Sequence, residues 1–134
     1  MNFPVLTRRA LLAAFALTPL AFAAHAEGFA TEALSVEQMK ANGGLIVDIR
    51  TAEEWAETGV IDGAKLHTFE GAQSFIAALG PDLADGRDLI LVCRSGRRTA
   101  AAAEALQGMI PNRITSVEGG MGRLISEGYQ TVAP

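Results

Sequence analysis

Cys93 is the only cysteine in a chain of 134 residues, and three arginines follow it within five positions, in Cys93-Arg94-Ser95-Gly96-Arg97-Arg98-Thr99. The thiolate, not the thiol, is the nucleophile, and nearby positive charge stabilises it. The same charge attracts an anionic substrate and steadies an anion formed later on the sulfur. Leu89-Ile90-Leu91-Val92 reads as a buried strand, and the alanine-rich stretch from Thr99 to Leu106 as a helix. Cys93 to Arg98 must then turn the chain between them, and Gly96 permits a tight path. Such a turn aims successive backbone N–H groups inward as an anion nest. The following helix start adds partial positive charge. The rival reading is an inert cysteine ending a strand, with arginines merely exposed. The loop position, the glycine and the charge cluster favour the reactive one.

No histidine lies near Cys93 in sequence. His67 follows a short strand expected at 64–66 and reads as a surface residue, so no cysteine–histidine dyad is built on it. With so few cysteines and histidines, no metal and no cofactor are expected.

The elements that must position the loop alternate. Ser35 with Gln38 forms a capping box for a helix over 36–41, stopped by Asn42-Gly43-Gly44. Leu45-Ile46-Val47-Asp48-Ile49 reads as a buried strand. Thr51 with Glu54 caps a second helix that Gly59 closes. A third helix is expected over 72–79, stopped by Gly80-Pro81. A strand over 113–117 and a helix over 121–127, after Gly119-Gly120, complete the pattern. Strands separated by helices imply parallel pairing. The expected fold is therefore α/β: a small parallel sheet of four to five strands with helices on both faces.

Residues 1–26 read as a cleavable signal peptide. Arg8-Arg9 precedes an apolar run of 15 residues, Ala10 to Ala24, and Ala24-His25-Ala26 is a small-x-small cleavage pattern. The run contains Pro19 and falls short of the roughly 20 residues a span needs, so no stable membrane span is expected after cleavage. Thr7-Arg8-Arg9-Ala10-Leu11-Leu12 also resembles a twin-arginine motif, and both export routes remain open. Residues 27–134 form one domain, expected in the periplasm or secreted. Loss of Arg8 and Arg9 takes the formal charge from −4 to −6 and makes nucleic acid an unsuitable partner.

Three blocks together resemble the rhodanese (thiosulfate sulfurtransferase) family in its single-domain form. They are Leu45 to Thr51 with Glu53-Glu54-Trp55, the loop Cys93 to Thr99, and Val117-Glu118-Gly119-Gly120-Met121. Their order and spacing are as in the family. Two departures stand out. Val60-Ile61-Asp62-Gly63-Ala64 replaces the usual histidine with Val60 and the usual proline with Asp62, and Leu124 stands where the last helix usually has tryptophan. Neither supplies a nucleophile.

The resemblance implies a rhodanese-like fold and a sulfurtransferase of the thiosulfate:cyanide type. Cys93 would be catalytic, taking sulfane sulfur as a persulfide. Arg94, Ser95, Gly96, Arg97, Arg98 and Thr99 would bind the donor and the persulfide. Asp48 and Arg50 would brace the neighbouring strand ends. The donor would be thiosulfate or a related small sulfur compound, and the acceptor cyanide or a thiol, a thioredoxin-like protein among the candidates.

Two other classes stay open. A non-turnover sulfur carrier or docking module would use Cys93 in the same way. A phosphatase or arsenate reductase needs cysteine, five residues, then arginine, so that the arginine can fork onto a tetrahedral oxyanion. Here Arg98 comes after four residues and Thr99 occupies the required place. A loop one residue short suits a single sulfur better.

Overall fold

Four consecutive apolar residues, Leu89–Val92, form the central strand of a five-stranded, all-parallel sheet in the computed structural model, which describes residues 28–134. In chain order the strands are β1 (Phe29–Glu32), β2 (Leu45–Asp48), β3 (Lys65–Leu66), β4 (Leu89–Val92) and β5 (Ile114–Val117), and they lie side by side as β1-β5-β4-β2-β3. The helices are α1 (Val36–Asn42), α2 (Ala52–Thr58), α3 (Ala72–Leu83), α4 (Arg97–Leu106) and α5 (Gly120–Ser126).

Side chains alternate across a strand, so β4 feeds two cores. Leu89 and Leu91 pack with Phe75, Leu79 and Leu83 of α3 and with Ala102, Ala103 and Leu106 of α4. Ile90 and Val92 pack with Val36 and Met39 of α1 and with Met121 and Leu124 of α5. Helices thus cover both faces, and β4 is buried on both. Register aligns Leu45 with Leu89 and Asp48 with Val92, so β2 and β4 end side by side. After β2 the chain runs outward to β3; after β4 it runs the other way to β5. That reversal opens a crevice beyond the carboxyl ends of β2 and β4, where ligands bind in open α/β sheets.

The caps form as their residue types demand. Ser35 and Gln38 complete a reciprocal box at α1, and the Thr51 hydroxyl accepts the Glu54 N–H at α2. The substituted positions settle into packing. Val60 is buried and its backbone pairs with Val132, the Asp62 N–H donates to the Tyr129 hydroxyl, and Leu124 fills the α5 core.

Several elements differ from expectation. α3 continues through Gly80-Pro81 to Leu83. A proline costs a helix one hydrogen bond, but continuing one more turn buries Leu83 to 4 % exposure on the α3 face already holding Leu79. β1, unforeseen from the sequence, adds the fifth strand; it pairs only with β5 and is half-buried, so it lacks an apolar run. α5 starts at Gly120 and ends at Ser126, one residue before expectation at each end. The expected signal peptide lies outside the described residues. Among those described, no helix is long and apolar enough to cross a membrane.

Candidate active site

Cys93 follows the last residue of β4, and α4 begins at Arg97, not at Thr99 as expected. Arg97, Arg98 and Thr99 therefore form the first turn of α4, and the turning segment is only Cys93 to Gly96. Gly96 sits before the helix with φ +96°, a left-handed conformation that glycine adopts without strain. This conformation turns its N–H back onto Cys93 Sγ at 3.1 Å. The Thr99 hydroxyl lies 3.6 Å from the same sulfur and is itself held by Gly96 O at 3.1 Å and by the Ser116 hydroxyl at 2.8 Å.

Cys93 is fully buried and free. Burial alone pushes a thiol upward. Here it is outweighed by hydrogen bonds from the Thr99 backbone and hydroxyl and from the Gly96 and Ser95 backbones, and the thiol falls below its ordinary 9.0. The nest and the start of α4 thus favour a sulfur anion.

The loop is held from behind by backbone. The Met121 N–H donates to Cys93 O at 2.7 Å, and the Gly122 N–H to Arg94 O at 2.9 Å. This close approach needs Gly120. With φ +54°, a β-carbon there would meet the Cys93 carbonyl oxygen and lie 2.7 Å from the Arg94 carbonyl. The Gly119-Gly120 pair is therefore the seat of the sulfur loop as well as a helix start.

The three arginines part company. Arg98 makes a two-pronged ion pair with Glu54 of α2, with both N···O distances 2.7 Å. Hydrogen bonds from Arg98 hold the Glu54 carboxyl down at about 2 against an ordinary 4.5. Arg94 and Arg97 are exposed and belong to no ion pair among the described residues. Ser95 is exposed at the loop crest.

Asp48 and Arg50 lie under the β2 end, 0 % and 1 % exposed, joined at 2.8 Å. Arg50 also donates to Thr58 Oγ1 at 2.8 Å and to Gly59 O at 3.0 Å. The pair fastens α2 to the sheet, and neither residue makes a hydrogen bond with the sulfur. His67 is half-buried, not on the surface: its ring packs edge-on against Phe75 at 5.7 Å, and its backbone N–H donates to Asp48 O. Among the described residues, no three metal-ligating side chains gather.

Two residues of this arrangement were not foreseen. Ser116 is a buried hydroxyl on β5, next to Thr115, which is buried as well, and its residue type alone does not mark it out in the sequence. Glu54 is legible as a capping residue, but its partner comes from a distant segment.

The family model for the rhodanese-like domain matches residues 32–127, and the chain belongs to that family. Among solved structures it is similar to a rhodanese-like domain protein from Staphylococcus aureus. The identity is 26 %, 78 % of this chain and 100 % of that one are covered, and the TM-score is 0.53. A Rhodopseudomonas palustris protein of unknown function, described as a possible tyrosine phosphatase, shares the fold at 23 % identity, 76 % and 85 % coverage and TM-score 0.61. The reduced CoADR-RHD of Bacillus anthracis does so at 21 % identity and TM-score 0.53, with 75 % of this chain and 18 % of that one covered. No curated protein matches the chain.

Proposed function

We propose that the protein is an exported sulfurtransferase that carries sulfane sulfur on Cys93. The observation that carries this reading is the Gly96 N–H set on Cys93 Sγ at 3.1 Å, at the start of α4, in a nest that lowers the thiol. A persulfide anion needs the same donors one bond further out.

In the first half-reaction the Cys93 thiolate attacks the outer sulfur of thiosulfate. A Cys93–sulfur bond forms, the donor's sulfur–sulfur bond breaks, and sulfite leaves with the electron pair. In the second, a thiolate or cyanide attacks the outer sulfur of the persulfide, and Cys93 leaves as thiolate. Neither attack moves a proton once both partners are deprotonated. This agrees with a sulfur held by N–H and hydroxyl groups, with no general base hydrogen-bonded to it among the described residues. Arg94 and Arg97 are the uncompensated cations available to an anionic donor; thiosulfate, a polysulfide and glutathione persulfide all fit. Residues 1–26 support a periplasmic or secreted protein beginning at Glu27, and N-terminal sequencing of exported protein tests that.

The complete burial of Cys93 favours a second reading, a sulfur carrier that loads without rapid turnover. The phosphatase reading is weakened by Glu54, which occupies both prongs of the last loop arginine. The deciding experiment is thiocyanate formation from a panel of donors and cyanide. The enzyme reading expects many turnovers with thiosulfate in wild type and none in Cys93→Ser. A single turnover supports the carrier, and equal turnover in both proteins removes Cys93 from the chemistry.

A further inference from the structure

Ser116 lies on β5 in register with Leu91 of β4. Side chains alternate along a strand, so Ser116 shares with Ile114 the sheet face that α4 covers. Leu91, Ile114 and the α4 residues Ala102, Ala103 and Leu106 make that face apolar. A hydroxyl buried there is costly unless it is hydrogen-bonded, and Ser116 is 0 % exposed. Its one side-chain partner among the described residues is Thr99 Oγ1, 2.8 Å away in the first turn of α4.

The number of protons sets the direction of that bond. Each hydroxyl has one proton to donate. Thr99 Oγ1 also lies 3.1 Å from Gly96 O and 3.6 Å from Cys93 Sγ. If Thr99 donated to Ser116, the buried Ser116 proton would have no acceptor among the described residues. With Ser116 donating, every proton has a place. In the thiol form, Sγ–H donates to Thr99 Oγ1 and the Thr99 proton rests on Gly96 O. In the thiolate form, the Thr99 proton turns to the sulfur. Hydrogen bonds in a chain polarise one another, so the bond from Ser116 strengthens Thr99 as a donor.

The charged groups around the sulfur are matched or face solvent. Glu54 of α2 pairs with Arg98 of α4, and Asp48 with Arg50 at the end of β2. Arg94, Arg97 and, after β5, Glu118 are exposed, and His67 packs on Phe75 of α3. The side-chain and loop donors within reach of Sγ are neutral, the Gly96 N–H and the Thr99 hydroxyl.

We infer that Ser116 is a positioning residue for the sulfur chemistry, holding the Thr99 hydroxyl as a donor to the Cys93 thiolate. The inference deepens the sulfurtransferase reading and rests on it. In the loaded protein Cys93 Sγ is bonded and neutral, and the charge sits on the outer sulfur. When an acceptor thiolate or cyanide attacks that outer sulfur, a new bond to it forms and its bond to Sγ breaks. The electron pair returns to Sγ, where the Thr99 proton meets it. Ser116 therefore favours Cys93 both as attacking thiolate and as leaving group, and no proton, oxidant or reductant is consumed.

The test is the rate of Cys93 alkylation by iodoacetamide against pH, in wild type, Ser116→Ala, Thr99→Val and the double variant. The plateau at high pH reports access to the buried sulfur, and the rate relative to that plateau reports the thiolate fraction. In Ser116→Ala this fraction should fall about threefold below the midpoint, the scale of one modest hydrogen bond. Added to Thr99→Val, the same substitution should leave the fraction unchanged, because the residue through which Ser116 acts has lost its hydroxyl. Discharge of the preloaded persulfide by cyanide should slow by about twofold in Ser116→Ala, since a less acidic thiol leaves more slowly. A wild-type thiolate fraction in Ser116→Ala, or an equal further fall in the Thr99→Val background, overturns the positioning role. A changed plateau with an unmoved fraction does so too, and marks Ser116 as packing alone. Failure of the wild type to take up sulfur from any donor overturns the sulfurtransferase reading instead, since alkylation needs no donor.

Discussion

Arg98 and Glu54 stand 44 positions apart in the chain and meet through two N···O contacts of 2.7 Å. The contact joins the first turn of α4 to the first turn of α2, and so links the sulfur loop to the helix that Arg50 anchors on the sheet. It also neutralises one of the three loop arginines.

Glu54→Gln should reveal this link in acid. The Glu54 carboxyl is depressed in the folded protein, so its contribution to stability is fully present above about 4.5 and is lost as pH falls toward about 2. The wild type should exceed the variant by about 1 kcal/mol or less at pH 6, since Arg98 is 44 % exposed and water screens the pair. The difference should shrink across that window in urea titrations. A constant gap from pH 6 to pH 2 would show that the pair is not its source.

The arginines should separate kinetically. Arg94→Ala and Arg97→Ala should each lower kcat/KM for thiosulfate about threefold to tenfold at low salt, and less at high salt, because both charges face solvent. Arg98→Ala should affect the donor less, since its charge is already matched by Glu54. An Arg98→Ala loss larger than both others would reverse this assignment.

Thr99→Val tests the nest. Removing the hydroxyl takes away one group that lowers the Cys93 thiol, so the midpoint of alkylation rate against pH should rise. The Ser116 hydroxyl also loses its acceptor, and stability should fall by about 1–2 kcal/mol. The depressed thiol has its own signature in the parent protein. Relative to Cys93→Ser, stability should grow as pH rises from the folded thiol pKa toward 9.0, because the unfolded chain holds the proton longer. An unmoved alkylation midpoint in Thr99→Val would remove the hydroxyl from the account.

Gly120→Ala should separate backbone crowding from backbone strain. Its new methyl group meets the carbonyls of Cys93 and Arg94, and a loss of about 2–4 kcal/mol is expected, with sulfur transfer falling alongside. Gly43→Ala, with φ +76° and no atom within 4 Å, carries strain alone and should cost about 1–2 kcal/mol with activity kept. Equal losses in the two variants would mean that the loop does not depend on this close seat.

Much of this could be read from local pattern. β4 and β2 are runs of branched apolar residues, and the caps at Ser35 and Thr51 use contacts within one turn. What escaped depends on distant partners. The alanine-rich stretch marks α4 from Thr99, and arginine is ill placed in a first helical turn; the start at Arg97 becomes favourable once Glu54 arrives from α2 to pair with Arg98. Pro81 reads as a stop, yet burial of Leu83 carries α3 past it. β1 has no apolar run because an edge strand is covered on one side only. Cys93, Gly96 and the arginines were visible as a cluster, but their division into one paired and two free charges was not.

The central claim is that Cys93 holds sulfur covalently, and the most direct measurement is the intact mass of the purified protein after thiosulfate. The account predicts a gain of about 32 Da on wild type, the mass of one sulfur, removed by cyanide and absent in Cys93→Ser. Removal by cyanide matters, because oxidation to a sulfinic acid adds nearly the same mass and is not reversed by it. No gain on wild type, or a gain that cyanide leaves in place, would contradict the account.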